Sequence, residues 1–209
     1  MYPASKSGDP DAAFVLVNHL VSLTVIQALT KNYASAKPIL VSAHAVESNG
    51  VNAIPAALAE LLEEKTGFES DTDVVQINVV SHTGAGGMHR MAHQAMFDGT
   101  IVRDRNYLLV DDFIGQGGTL ANLRGYILNQ GGRVIAATVL TGKPYSAKIG
   151  LEIETLQRLR DKHGQDLENW WLGKFGHGLD CLTESEARYL EKIESFESIR
   201  HRIIEAEQG

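Results

Sequence analysis

Two adjacent carboxylates and the glycine loop after them are the residues in this sequence best suited to chemistry. Asp111 and Asp112 follow the apolar run YLLV, and the chain continues as FIGQGGTLANLRG. Ionised carboxylates accept hydrogen bonds from neighbouring sugar hydroxyls, and they also suit a divalent cation. A glycine loop that opens a helix directs backbone N–H groups at a phosphate. The pattern favours a sugar-phosphate site; the alternative is a plain strand–turn–helix connection whose acids cap the helix.

The elements that must position these residues alternate between strand and helix. A first helix is predicted to begin at Asp9-Pro10, with an apolar face that runs from Phe14 to Ala28. Strands are predicted at residues 39–41, 74–80, 107–110 and 133–140, with helices between them. This alternation predicts an α/β fold, a mostly parallel twisted sheet with helices on both faces. Ligands bind beyond the carboxyl ends of such strands, which is where the two acids would lie.

The character of the sequence changes after Lys143-Pro144. A helix is predicted over residues 151–159, and Thr183 with Glu186 forms a capping box for a final helix that runs towards Glu207. We therefore expect an α/β core over residues 1–142 and a C-terminal hood with a helical extension over residues 143–209. Trp170, Trp171 and Phe175 are interpreted as the core of this hood, or of a dimer, rather than as a stacking platform.

Composition excludes several classes of protein. Among 209 residues, 19 Lys and Arg against 26 Asp and Glu give a net charge of −7, which argues against general affinity for nucleic acid. Cys181 is the single cysteine, so no intrachain disulfide can form and a cytoplasmic location is the simplest expectation. Polar residues interrupt the apolar stretch 12–29, which favours a buried helix over a membrane span or a signal peptide.

The segment LLVDDFIGQGGTLA resembles the phosphoribosyl-pyrophosphate signature of type I phosphoribosyltransferases, most closely the adenine and xanthine enzymes. The length, the position of the acids and the closing GGT all agree with that signature. The resemblance implies that Asp111 and Asp112 bind the ribose and act in catalysis. It also implies a 5′-phosphate loop that consists of Gly115, Gln116, Gly117, Gly118 and Thr119. Gln116 stands where many members carry a threonine or serine.

The same resemblance implies further site residues. Ser48, Asn49 and Gly50 look like the family's pyrophosphate loop, although an ordinary turn would read the same way. Residues 81–98 match the place of its mobile loop, whose candidates for binding pyrophosphate are His82, His89, Arg90 and His93. Lys143 and Phe113 are candidates for the base, with a solvated lysine as the alternative. Mg²⁺ would arrive with the substrate, near Asp111 or Asp112; His89 and His93 have the spacing of a metal pair but lack a third ligand.

By resemblance, the reaction displaces pyrophosphate from C1 of the ribose by a nitrogen of a purine-like base. The alternative is a non-catalytic regulatory protein that senses phosphoribosyl pyrophosphate or a nucleotide. A sugar-phosphate hydrolase is the third alternative, and no nucleophile elbow or Walker loop is present to favour it. The expected partners are phosphoribosyl pyrophosphate and a small-molecule base, with neither nucleic acid nor membrane. Apolar faces on the first and last helices favour a homodimer, and an intramolecular core explains them equally well.

Overall fold

The computed structural model describes residues 1–43, 46–47, 50–78, 86–142 and 149–208. Its centre is a four-stranded sheet in the order β4 (Glu69–Asp71), β1 (Ile39–Ser42), β7 (Asn106–Ile114) and β8 (Arg133–Gly142). All three pairings between neighbouring strands are parallel. The predicted α/β class is therefore confirmed.

Helices cover both faces of this sheet. One face packs against α2 (Pro10–Leu20), α3 (Leu23–Tyr33) and α4 (Ile54–Thr66), and the other packs against α6 (Gly118–Asn129). Successive residues of a strand point to opposite faces, so Leu108 joins the core under α4 while Leu109 joins the core under α6. The continuous apolar run of β7 is explained by this burial on both faces.

The N-terminal helices differ from the prediction at one point. A short helix α1 (Tyr2–Lys6) comes first, and α2 begins at Pro10 with the Asp9 carboxylate accepting a hydrogen bond from Ala12 N, as expected. The single helix predicted as far as Ala28 is wrong, because the Ser22 hydroxyl accepts from Thr24 N and starts α3 as a new helix. No single helix within the described ranges is long and apolar enough to cross a membrane; α2 and the following helix meet that test only as a pair bent by 86°.

The structure also differs from the strand predicted at residues 74–80. The strand that pairs with β1 at the edge of the central sheet is β4, at residues 69–71. Asp71 Oδ1 accepts hydrogen bonds from the backbone N–H groups of Asp73 and Val74, a turn that ends β4. The chain then forms β5 (Val75–Gln76), which pairs antiparallel with β6 (Phe97–Asp98) outside the central sheet. A second small pair consists of β2 (Val46–Glu47) and β3 (Gly50–Val51).

The C-terminal helices form a core of their own. They are α7 (Ile153–Phe175), α8 (Glu184–Glu191) and α9 (Phe196–Gln208), and α5 (Gly87–Ala92) packs with them. A kink at Gly164, where φ is 71°, divides α7 into two helical segments. Trp171 is fully buried at the centre of this cluster, in agreement with its interpretation as hood core. The single final helix that was predicted is wrong: α8 ends at Glu191, and Ser195 Oγ accepts from Ser198 N at the start of α9.

Candidate functional site

The two acids lie where β7 extends beyond its neighbour β1. The last registered pair between these strands is Ser42 with Val110, whereas β7 continues beside β8 as far as Ile114. Asp111 and Asp112 therefore stand at the carboxyl edge of the parallel sheet, beyond the last registered pair of β1 and β7. This is the edge at which open α/β sheets bind ligands.

Asp111 is a buried acid. Its side chain is only 9% exposed, and its Oδ1 accepts a hydrogen bond of 2.7 Å from the backbone N–H of Asp112. Burial, followed by repulsion from the Asp112 carboxylate, raises the pKa of Asp111 well above its ordinary value. An acid kept in such surroundings costs stability, which is typical of residues retained for a site.

Asp112 is held by residues from two other elements. Lys6 Nζ, at the end of α1, lies 2.8 Å from Asp112 Oδ2. Asn52 Nδ2 donates to the same oxygen at 3.1 Å, and Asn52 Oδ1 accepts from Ile54 N at the start of α4. Lys6 and Asn52 were both missed in the sequence. No local pattern in the sequence marks either residue as a partner of Asp112.

The glycine loop and Asp111 line one pocket. Gly117 has a φ of +87°, a left-handed conformation that favours glycine, and α6 begins at the next residue. The pocket is lined from β7, the loop and two more distant helices, and its residues include Asp111, Phe113, Gly115, Gln116, Gly117, Gly118, Thr119, Asn122, Arg90 and Glu186. The five residues predicted for the loop are thus brought together beside the first acid.

Arg90 reaches this pocket from α5. Its Nη1 lies 3.0 Å from the position that a Cβ would occupy on Gly115, so the absence of a side chain there admits the guanidinium. Gly87, at the start of α5, has its own Cβ position 3.1 Å from the Tyr189 ring and 3.4 Å from Gln116 Nε2. Arg90 was predicted to bind pyrophosphate from a mobile loop, and the structure places it against the glycine loop.

Glu186 also reaches the pocket, from α8. Its Oε1 lies 2.6 Å from the position that a Cβ would occupy on Gly118, the first residue of α6. Its Oε2 accepts a hydrogen bond of 2.8 Å from Thr183 N, and the side chain is 8% exposed. Burial raises the pKa of Glu186 above its ordinary value, although the hydrogen bonds from Thr183 act in the opposite direction. The sequence showed Glu186 only as half of a capping box.

The remaining predicted residues are less closely tied to the pocket. Gly50 belongs to β3, where its Cβ position is 2.8 Å from the carbonyl oxygen of Ser7. The rings of His89 and His93 stack at 4.2 Å, and neither residue lines the pocket. Phe113 lines it and is 48% exposed. Ser48, Asn49, His82 and Lys143 lie outside the described residues.

Among the residues that the structure describes, no group of three or more His, Cys, Asp or Glu side chains is arranged to hold a metal ion. Asp111 and Asp112 are a pair of carboxylates at one sheet edge, a donor set that fits Mg²⁺ when substrate oxygens complete its shell.

Comparison with known sequences finds two curated relatives, and no family model matches the chain. The chain is 40% identical to a protein named TraN from Escherichia coli over 205 residues, which are 98% of this chain and 46% of that protein. It is 36% identical to an uncharacterized protein of Haemophilus influenzae over 130 residues, which are 62% of this chain and 29% of that protein. The chain thus spans about half, or less, of the length of these relatives.

Three phosphoribosyltransferases are among the solved structures that resemble this chain. An adenine phosphoribosyltransferase aligns with 58% of this chain and 69% of its own, at a TM-score of 0.41 and 14% identity. A purine phosphoribosyltransferase from Pyrococcus horikoshii aligns with 59% and 73%, at 0.37 and 17%. A hypoxanthine phosphoribosyltransferase from Staphylococcus aureus aligns with 62% and 65%, at 0.39 and 18%. These values describe a partial likeness of fold and carry no information on the activity of this chain.

Proposed function

We propose that this chain binds phosphoribosyl pyrophosphate at the carboxyl edge of its sheet and transfers the phosphoribosyl group to a nitrogen of a purine-like base. The observation that carries the proposal is the single pocket in which Asp111, the loop from Gly115 to Thr119 and the start of α6 come together. The proposal is supported by the presence, in one pocket, of an acid that could bind a sugar hydroxyl and a helix start that could bind a phosphate.

The ribose would be bound by the two acids. Both Lys6 and Asn52 engage Oδ2 of Asp112, which fixes the orientation of that carboxylate. We expect a ribose hydroxyl to meet the Oδ1 side, since a carboxylate offers acceptor positions on both oxygens. Asp111 lines the pocket of the glycine loop, whereas Asp112 faces Lys6 and Asn52. The ribose would therefore span the carboxyl end of β7, with Asp111 accepting from the neighbouring hydroxyl. Holding the sugar in this way positions C1 for displacement without any covalent work by the protein.

The 5′-phosphate would be bound by the glycine loop. The N-terminus of the 12-residue helix α6 offers unpaired backbone N–H groups and a partial positive charge. The Thr119 hydroxyl can donate one more hydrogen bond, and the Arg90 guanidinium, which lines the same pocket, supplies a full positive charge.

The exposed ring of Phe113 lies beside Gly115 and offers a flat apolar face for the base. Mg²⁺, when bound with the substrate, would neutralise charge on the pyrophosphate leaving group.

The proposal is tested by replacing both acids. We expect Asp111→Asn with Asp112→Asn to lose measurable binding of phosphoribosyl pyrophosphate and Mg²⁺ in calorimetry, because an amide offers a weaker acceptor and no charge. Circular dichroism should show an intact fold. The matched control is Asp161→Asn with Asp166→Asn, which makes the same change of net charge on the exposed side of α7. Unchanged affinity in the doubly substituted site would contradict the assignment.

A second function, that of a non-catalytic sensor, is favoured by one feature of the site. The chain's own groups occupy the ligand positions, since Lys6 contacts Asp112 and the Glu186 carboxylate faces the start of α6. An assay of pyrophosphate release with Mg²⁺ and a panel of purine and pyrimidine bases distinguishes the two functions. Release with one base indicates transfer. Tight binding of phosphoribosyl pyrophosphate with no release from any base indicates a sensor.

A further inference from the structure

The carboxylate of Glu186 faces the first residue of α6, in the pocket that the glycine loop lines. Its Oε1 is 2.6 Å from the Cβ position of Gly118, and it lines the same pocket as the whole loop. The side chain is buried, so it is part of the loop's surroundings rather than a group extended into solvent. A carboxylate and a phosphate are both anions that are stabilised at a helix N-terminus, and they therefore compete for this one.

The fold directs one oxygen of Glu186 at the loop. Thr183 N donates to Oε2, and Glu186 N donates to the Thr183 hydroxyl at 3.1 Å, which completes the capping box of α8. With Oε2 engaged by its own helix, Oε1 is the oxygen that faces Gly118. Glu184 differs, although it lies only two residues earlier. Its carboxylate binds the Thr155 hydroxyl at 2.7 Å and Glu152 N at 3.0 Å, and it belongs to the contact between α7 and α8.

The charges around Glu186 make its ionised form incompatible with a bound phosphate. Asp111 on β7 and Arg90 on α5 are the charged residues that share its pocket. On α8 itself Arg188 pairs with Glu184, and on α7 Arg158 pairs with Glu191. A phosphate dianion would thus enter a pocket that already holds two buried acids and one arginine. Protonation of Glu186 removes one negative charge and converts Oε1 or Oε2 from an acceptor into a donor for a phosphate oxygen.

We propose that Glu186 makes phosphate binding at the glycine loop proton-coupled: the phosphate enters only when this carboxylate has taken up a proton from solvent. The inference rests on the proposed function only in placing a phosphate monoester at the loop. It adds a specificity determinant, since an ionised Glu186 excludes the phosphate and a neutral Glu186 donates a hydrogen bond to it. Affinity for the ligand should then fall as the pH rises above the pKa of Glu186 in the unliganded protein.

The test is calorimetric titration with ribose 5-phosphate between pH 7 and pH 8.5, in buffers of different ionisation enthalpy. In this range the ligand is mostly a dianion, because its second pKa is about 6. We expect the unmodified protein to take up a proton when it binds the ligand, and to lose affinity as the pH rises, by at most about tenfold per pH unit where Glu186 is ionised in the unliganded protein. Glu186→Gln, whose amide oxygen can still accept from Thr183 N, should bind more tightly at pH 8.5, with less proton uptake and a shallower pH profile than the unmodified protein.

Two further variants separate charge from structure. Glu194→Gln makes the same change of net charge at an exposed position after α8 and should keep the pH profile of the unmodified protein. Thr183→Ala removes the helix cap but keeps the charge of Glu186. Its affinity for ribose 5-phosphate should therefore still fall steeply as the pH rises. Equal proton uptake by the unmodified protein and by Glu186→Gln would overturn the inference while leaving the proposed function standing. Failure of every variant to bind ribose 5-phosphate would overturn both.

Discussion

Asp111 and Asp112 are neighbours in the chain, yet their surroundings differ. Asp111 is buried and its pKa is raised, first by burial and then by Asp112, whereas Asp112 is held by Lys6 and Asn52. Glu186 adds a third acid with a pKa raised by burial. Asp111 and Glu186 each lower stability at neutral pH relative to an apolar residue, and a folded chain tolerates such groups mainly at functional sites. This accumulation of costly acids around one glycine loop supports the site assignment.

Gly50 illustrates how a predicted site residue can have a packing role. Its φ is +124°, and a Cβ would meet the Ser7 carbonyl oxygen at 2.8 Å. We expect Gly50→Ala to lower the free energy of unfolding by about 2–3 kcal/mol, since both the backbone conformation and the close contact oppose a side chain. Denaturant titration measures the change. Gly67→Ala is the control, because Gly67 has a φ of +73° but open space around it. Equal losses in the two variants would show that the Ser7 contact contributes nothing.

Local motifs explain which site residues were visible in the sequence. Asp111, Asp112 and the loop from Gly115 to Thr119 lie within one short segment, so their spacing alone indicates a sugar-phosphate site. The residues that were missed come from distant segments: Asn52 is 60 positions before its partner Asp112, and Glu186 approaches Gly118 only through the packing of α8. Single-sequence periodicity contains no information on such pairings, because they depend on how helices pack on the sheet.

At the scale of elements, helix ends were predictable where a cap coincides with a change of pattern. Asp9, Gly67 and Thr183 each mark an end or a start that the structure reproduces. The breaks at Ser22 and Ser195 were missed because apolar residues continue at helical spacing across both serines. A side-chain cap at each serine outweighs the continuing periodicity, since it satisfies backbone N–H groups that a bend leaves open.

His163 on α7 predicts how the free energy of unfolding depends on pH. His163 lies on this helix with 7% of its surface exposed, and burial lowers its pKa below the ordinary value of about 6.5. The folded state therefore keeps His163 neutral at a pH where the unfolded chain binds a proton. Stability from this residue is complete above about pH 6.5 and falls as the pH drops towards the lowered pKa, by at most about 1.4 kcal/mol per pH unit.

The measurement for His163 is the free energy of unfolding between pH 7.5 and pH 5. We expect His163→Leu to lose less stability over this interval than the unmodified protein, because the leucine binds no proton in either state. His201→Leu is the control, since the His201 side chain is 73% exposed on α9. A steeper acid loss in His163→Leu than in the unmodified protein would contradict a neutral, buried His163.

At the scale of the whole molecule, the described residues form three apolar cores. Two lie on the faces of the sheet, and the third joins α7, α8 and α9 around Trp171. Met91 of α5 is buried in this third core, although it comes from within residues 1–142. Its neighbour Arg90 lines the phosphate pocket, and so does Glu186 of α8. The C-terminal helices are therefore connected to the site on both sides of the glycine loop, through Arg90 and Glu186. The composition of the sequence alone did not indicate this connection.

This connection predicts that the third core supports ligand binding. Met91 is 1% exposed, so Met91→Ala should cost about 2–5 kcal/mol of stability through the lost contacts and the cavity that remains. Arg90 lies on α5 next to Met91, so a shift of this helix would also move Arg90. We therefore expect weaker binding of ribose 5-phosphate, measured by calorimetry at a temperature where the variant is folded. The control is Leu58→Ala on α4, a residue 2% exposed in the core on the opposite face from α6.

Leu58→Ala should lose a similar amount of stability and keep its affinity, since α4 contacts the site through Asn52 rather than through the loop. The difference in affinity between the two variants, compared at equal stability, therefore measures the coupling of the third core to the loop. If both variants lost affinity equally, the loss would follow from general destabilisation. If neither did, Arg90 would hold its place without the packing of Met91, and the C-terminal helices would act on the loop through Glu186 alone.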